Sequence, residues 1–298
     1  MDRRAWSLMW MLALTWGASY LFIKVGLRSF EGIFLVWARL VCAAIVLVPL
    51  AAREGALDGL RARWRALTVL AGMQVAVPFV LITYGENHIP SALAGILVAS
   101  APIFTAMLVS AGLGPGEARI ERWSVAGLLI GIVGVGLLFG VDLSGSAESA
   151  LGGLMVVVAA LGYALGALYL RRHFLGVPPV GVAAGSMVAS SVLTLPFALF
   201  ALPASAPAVN SLLCVLALGL VGTGFAFLLF YTLIAEVGAA KASLVTYLAP
   251  GFALIYGAVF LSESITVGAI GGLALILAGS WVAANGRAPW QRRAVVAV

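Results

Sequence analysis

The sequence is short of charge. Only 9% of its 298 residues are Asp, Glu, Lys or Arg, where a soluble domain carries about 25%. So few charges cannot clothe a water-facing surface of this size, so most of the surface must face lipid. Histidine and cysteine are equally scarce, at two each. Cys42 and Cys214 both fall inside apolar runs, which excludes a disulfide framework or a cysteine metal site. His88 and His173 lie at the ends of apolar runs and on opposite faces. There is no HExxH, no paired mid-membrane Asp couple and no Ser with a neighbouring His. An integral membrane enzyme, such as a lipid transferase or intramembrane protease, would need one of these sets. No GxxxxGK[ST] loop is present, which argues against ATP-driven pumping. The net charge of +6 and pI of 9.7 do not point to nucleic acid. The Lys and Arg residues sit in short loops between apolar runs, a placement that suits anionic lipid.

What is present is apolar: 63% hydrophobic residues and a mean hydropathy of +1.14. A span needs roughly 20 apolar residues to cross about 30 Å of hydrocarbon. Ten runs qualify, at 5–27, 31–51, 66–86, 91–113, 123–140, 151–171, 179–200, 211–234, 240–260 and 266–284. In lipid these must be helices, because only a helix pairs its own backbone groups. A β-barrel would alternate apolar and polar residues, and LLIGIVGVGLL does not. The basic N-terminus begins like a signal peptide, but its apolar run is too long for one, so it reads as the first span. With the N-terminus in the cytoplasm, 14 of the 17 basic residues fall in inside segments. Arg28 alone falls outside, and Lys24 and Arg39 lie within spans. The positive-inside rule then places both termini in the cytoplasm of a bacterial inner membrane.

The stretch SALAGILVASAPIFTAM at 91–107 reappears as AAKASLVTYLAPGFALI at 239–255. At one constant offset Ala92 meets Ala240, Ala101 meets Ala249, Pro102 meets Pro250 and Phe104 meets Phe252. The expected fold is therefore an all-α integral membrane protein of ten helices in two five-helix repeats, 1–141 and 150–286. A cytoplasmic tail follows at 287–298. Five crossings are odd, so the second copy starts on the opposite side and the repeats are inverted around a central cavity. Inverted repeats are the architecture of many secondary transporters, with the substrate held near the midplane between halves.

Several residues stand out against this background. Trp16, Tyr20, Phe79, Tyr84, Tyr163, Phe227, Tyr231 and Tyr247, with Gln74, Ser100, Thr223 and Thr246, form an aromatic set with a few polar groups. That is the usual lining of a small-molecule site, although packing between helices explains any one of them alone. Pro78, Pro102 and Pro250 break helix hydrogen bonds mid-span and suit gating bends. Arg39 is about 13 Å into its span at 1.5 Å per residue. A charge there is a functional candidate or a bridge that fixes one conformation. Lys24 is expected to snorkel. Glu86 and His88 lie at the end of the third span, mirrored by Glu236 and Lys241; they are either a wet helix end or a proton-coupling group. Glu263 reads as a helix-capping partner. Gly127, Gly131, Gly134 and Gly136, with Gly268, Gly271, Gly272 and Gly279, mark the last span of each half as structural or dimer-forming. No cofactor or metal is expected. The expected partners are a small-molecule substrate and the lipid bilayer, with a monomer as the assembly.

LTWGASYLFIK at 14–24, FLVWARL at 34–40, ALAGILVASAPIF and KASLVTYLAPGFALIYGAVFLSESIT together resemble the drug/metabolite transporter superfamily, and within it the ten-helix EamA-type carriers. The resemblance covers nearly the whole chain in order. It implies a secondary transporter, not an enzyme, that exports amino acids or other metabolites by alternating access. The aromatic lining is similar to that of aromatic amino-acid exporters of the YddG type. Where the second half reads LSES, the first has Gly116, Glu117 and Arg119, a departure from the family pattern. A carrier of sugar phosphates or nucleotide sugars, or of drug-like compounds, is the alternative. A dianionic substrate would require two or more deep basic residues, and only Arg39 and marginally Lys24 qualify.

Overall fold

The computed structural model describes residues 3–113, 122–143, 145–237 and 245–285. All regular structure among them is helical. In chain order the helices are α1 Arg3–Gly26, α2 Gly32–Arg53, α3 Arg61–Gly85, α4 Ser91–Leu113, α5 Arg122–Val141, α6 Ala147–His173 and α7 Pro179–Leu199. α8 runs from Val209 to Val237 through three consecutive segments. α9 is Val245–Leu261 and α10 is Val267–Asn285. Eight of these are long and apolar enough to cross a membrane, and α9 and α10 are shorter apolar helices. The apolar runs therefore fall where hydropathy puts them. The stretch 240–244 at the start of the ninth run and the tail 287–298 lie outside the described residues.

The packing has the symmetry of an inverted duplication. α1 packs on α8 and α9, and α6 packs on α3 and α4; α2 packs on α7, and α5 on α10. Exchanging each helix with the one five places later maps this pattern onto itself. Hydrogen bonds fix the two faces. On one, Ser29 Oγ meets Ser211 Oγ at 3.1 Å, Lys24 Nζ donates to Ile89 O at 3.0 Å, and Ser149 Oγ donates to His88 O at 3.3 Å. On the other, Arg4 pairs with Glu236 at 2.9 Å, and Arg63 donates to His173 O at 2.7 Å. α1 starts at the second face and α6 at the first, so the repeats are inverted.

α5 and α10 meet through glycine. A Cβ on Gly279 would stand 2.6 Å from Gly127 O, and one on Gly134 would stand 3.0 Å from Gly272 O. Backbones this close leave room for no side chain. These glycines join the two halves of one chain. Gly136 has open space where a Cβ would go.

Two features depart from plain helices. α3 and α8 each contain a π-helical turn, Gly72–Ala76 and Leu220–Phe225. At the repeat offset that pairs Ser91 with Ala239, these turns coincide. The paired prolines, in contrast, behave differently. α4 breaks at Ala99–Ser100, where the amides bond three residues back, and restarts at Ala101 with Pro102 in its first turn. Pro250 sits inside an unbroken α9. Identical sequence positions thus carry different backbone geometry in the two halves.

Candidate substrate site

The π-turn of α8 sets up the deepest polar contact. It places Thr223 so that its hydroxyl donates to Leu218 O, five residues back, at 2.9 Å. The lone pairs then face α2, and Arg39 Nε donates to Thr223 Oγ1 at 2.7 Å. Gly219 makes this approach possible, since a Cβ there would stand 2.9 Å from Arg39 O. The guanidinium carbon lies 3.7 Å from the centroid of the Phe79 ring on α3, a cation–π arrangement. Arg39 is therefore held by both halves of the protein, and only 7% of it is accessible.

Three ionisable groups face this guanidinium: Tyr163, Tyr20 and Glu86. Among the described residues Nε is the one guanidinium nitrogen with a hydrogen-bond partner. Among the described residues the two terminal nitrogens, and the phenol oxygens of Tyr20 and Tyr163, have no hydrogen-bond partner, and none of these atoms is fully shut off from accessible space. Unsatisfied polar atoms at this depth would be costly in hydrocarbon. Beside accessible space they are able to donate to a ligand. Tyr163 joins two core clusters, one centred on α4 and the other on α2, α3 and α7, and Phe227 packs against the second. Phe227 is the repeat image of Phe79.

The structure thus gathers Tyr20, Arg39, Phe79, Tyr163 and Phe227 between the halves, and disperses the other candidates. Trp16 packs against Phe230, centroids 5.3 Å apart and rings tilted by 50°, within the cluster of Ala5, Met9 and Leu233 nearer the N-terminal face. Tyr84 covers Gly32 at the opposite face. Gln74 packs on Gly166 and Pro78 on Gly162, fitting α3 against α6. Ser100 is buried and its hydroxyl is spent on Leu97 O at 2.6 Å. Tyr247 is half-buried on α9, and His88 is exposed beyond α3. The side chain of Tyr231, and Glu117, Arg119 and Lys241, lie outside the described residues.

Sequence reasoning missed the π-turns, which have no residue signature beyond the glycines at 72, 222 and 224. At the face opposite the N-terminus it also misplaced one charge and left another between two readings. Lys24 does not run out to water but donates to the carbonyls of Glu86 and Ile89. Glu86 is not a wet helix end; none of it is accessible. Glu263 is a cap, as expected, but of the other half's helix. Its carboxylate accepts from Ser91 N at 2.7 Å, Ala92 N at 2.9 Å and Ser91 Oγ at 3.1 Å. A shallow cleft of about 460 Å³ at Ala62–Ala66 and His173 lies on the N-terminal face, apart from this site.

Residues 4–140 and 150–284 each match the EamA-like transporter family. The chain belongs to that family. Two EamA units account for nearly all of it, so it is a membrane transporter and not an enzyme. Among its relatives is the uncharacterized inner membrane transporter YedA of Escherichia coli, 29% identical over 83% of this chain and 79% of YedA. Another is a probable terminal-alkyne amino-acid exporter of Streptantibioticus cattleyicolor, 29% identical over 94% of this chain and 92% of its own. A protein of known crystal structure, 21% identical to this chain, superposes with a TM-score of 0.67, covering 95% of this chain and 97% of that one. This last likeness shows the fold. Like YedA, this EamA protein is a multi-pass protein of the inner membrane.

Proposed function

We propose that this transporter exports small metabolites, above all aromatic or other apolar amino acids, by alternating access, with both termini in the cytoplasm. One observation carries the reading: a single guanidinium, fixed by Thr223 and Phe79, presents free N–H groups beside two free phenols in the space between the halves. An α-carboxylate suits planar paired donors, and Phe79 and Phe227 offer an apolar wall for a side chain. Aromatic side chains fit that wall best. The relative from Streptantibioticus cattleyicolor, named as an amino-acid exporter, supports the same substrate class. Sugar phosphates and nucleotide sugars are dianionic, and Arg39 is the one buried basic residue among the described residues, which disfavours them.

The test is counterflow in proteoliposomes loaded with unlabelled amino acids. Saturable, trans-stimulated uptake of a labelled aromatic amino acid is expected, with Tyr163→Ala and Arg39→Gln each raising the half-saturation concentration at least tenfold. Uptake that rises linearly with concentration would make the protein a pore. Exchange of sugar phosphates in preference to amino acids would overturn the substrate class.

A further inference from the structure

Glu86 follows the last residue of α3 and has no accessible surface. Among the described residues neither carboxyl oxygen has a hydrogen-bond partner. One turn earlier on the same side of α3, Thr83 is also fully buried, and its hydroxyl is also unpartnered. A buried, unbonded carboxylate is among the costliest groups a protein can hold, and the usual resolution is protonation. The groups facing it are known from every side. α1 brings Lys24 and Tyr20, α2 brings Arg39, and the α9–α10 connection brings Glu263. α6 presents Gly152, whose backbone abuts Gly85, and His88 points outward. Lys24 is already engaged by two carbonyls, and Glu263 by three donors. Burial holds the Glu86 carboxyl well above its ordinary range; Lys24 opposes the shift, Glu263 adds to it and Arg39 opposes it.

The burial depends on this face being closed. Here the first segment of α4 is buried along Ser91–Leu97 and packs on α1 and α9. A Cβ on Gly95 would stand 3.3 Å from the Tyr20 ring, and one on Gly257 3.2 Å from Ala92 Cβ. Parting α4 from α1 and α9 would break the Lys24 contacts and let water reach Glu86. A hydrated glutamate titrates near about 4.3. Two cations close by make a metal ion a poor occupant, whereas a proton needs no coordination shell.

We propose that Glu86 is a proton-binding site whose occupancy is tied to which face of the carrier is open. The proton is held while the face of residues 86–92 is closed and is lost when that face opens. By linkage, acid favours the closed face, and the effect acts at pH values above the ordinary glutamate pKa. Such a site lets a solute flux be coupled to protons. The inference does not depend on what is carried.

Two measurements test it on the full chain in lipid. Infrared titration should show a protonated carboxyl C=O band that persists well above the ordinary glutamate value of about pH 4.3, disappears in Glu86→Gln and shifts in Glu86→Asp. The second uses Ala92→Cys with Cys42→Ala and Cys214→Ala. Between about pH 5.5 and 8.5 its alkylation rate should rise at least threefold more when Glu86 is kept than when Glu86→Gln is added. Dividing the two profiles cancels the thiol's own titration and any contribution from His88. No Glu86-dependent band, or parallel alkylation profiles, would overturn the proposal. A transporter that shows the band but exchanges no amino acid would sink the substrate reading and leave the proton site standing.

Discussion

Arg39 concentrates the energetics of the molecule in one side chain. Its planar head uses one face for Phe79 and one edge for Thr223, leaving two nitrogens for a ligand. Lysine cannot reproduce that division, because an ammonium has neither the fork nor the flat face. Arg39→Lys should therefore fold and still lose substrate affinity by about ten- to a hundredfold, matching the roughly 1.5–3 kcal/mol of a hydrogen bond to a charged group. Thr223→Val removes the acceptor but leaves the charge. The guanidinium then has an uncompensated edge, and thermal stability as well as affinity should fall. A half-saturation concentration unchanged in both variants would remove Arg39 from the binding site. Arg39 was visible in the sequence as a charge too deep to be accidental. Thr223 was visible only as one polar residue among several, because its role depends on a π-turn that repositions it. Glu86 was left between two readings for the opposite reason. A carboxylate beside a predicted helix end reads as solvated, and only the neighbouring Gly85–Gly152 contact shows that the chain closes over it.

At the level of whole elements, ends and interruptions matter more than lengths. α4 begins with Pro90 preceding Ser91, and no side chain of its own half caps its first turn. Glu263, from the second repeat, supplies the acceptors instead. A carboxylate at a helix N-terminus interacts favourably with the free amides and the dipole. Glu263→Gln keeps the shape and one acceptor oxygen but removes the charge, at a cost of about 1 kcal/mol. The melting temperature should fall by a few degrees, and Ala92→Cys should be alkylated faster, because this carboxylate joins the halves at the closed face. An unchanged alkylation rate would mean that Glu263 caps α4 without helping to close it. Hydropathy reported the ten runs well, since each must span the same thickness of lipid. The repeat was legible too, because Pro102 and Pro250 hold the same offset as the alanines around them. What sequence symmetry did not convey is that α4 breaks at Ser100 while α9 stays continuous through Pro250. The two copies have the same residues available to bend, and packing decides which of them does.

For the molecule as a whole, that difference is what the architecture predicts. Two inverted copies in one conformation would leave both faces alike, and a carrier with both faces alike cannot alternate. Here α1 lies against the buried first segment of α4, where Tyr20 meets Gly95, whereas along Ala101–Leu108 only Ile103 is buried. Exchanging the roles of the halves would transfer the break from α4 to α9 and the tight contact from one face to the other. The odd number of crossings per repeat makes this exchange possible, and it can be tested without any substrate. Gly145 lies on the connection between α5 and α6, and Leu175 follows α6 with 83% of its surface accessible. The excess of Arg in the segments around 53–65 and 171–172 predicts, with the proposed cytoplasmic termini, that the Leu175 side faces the cytoplasm. In intact cells a membrane-impermeant maleimide should modify Gly145→Cys at once and Leu175→Cys only after permeabilisation. If both react before permeabilisation, the two ends of α6 share a side, and the inverted duplication is lost along with the exchange of roles between the halves.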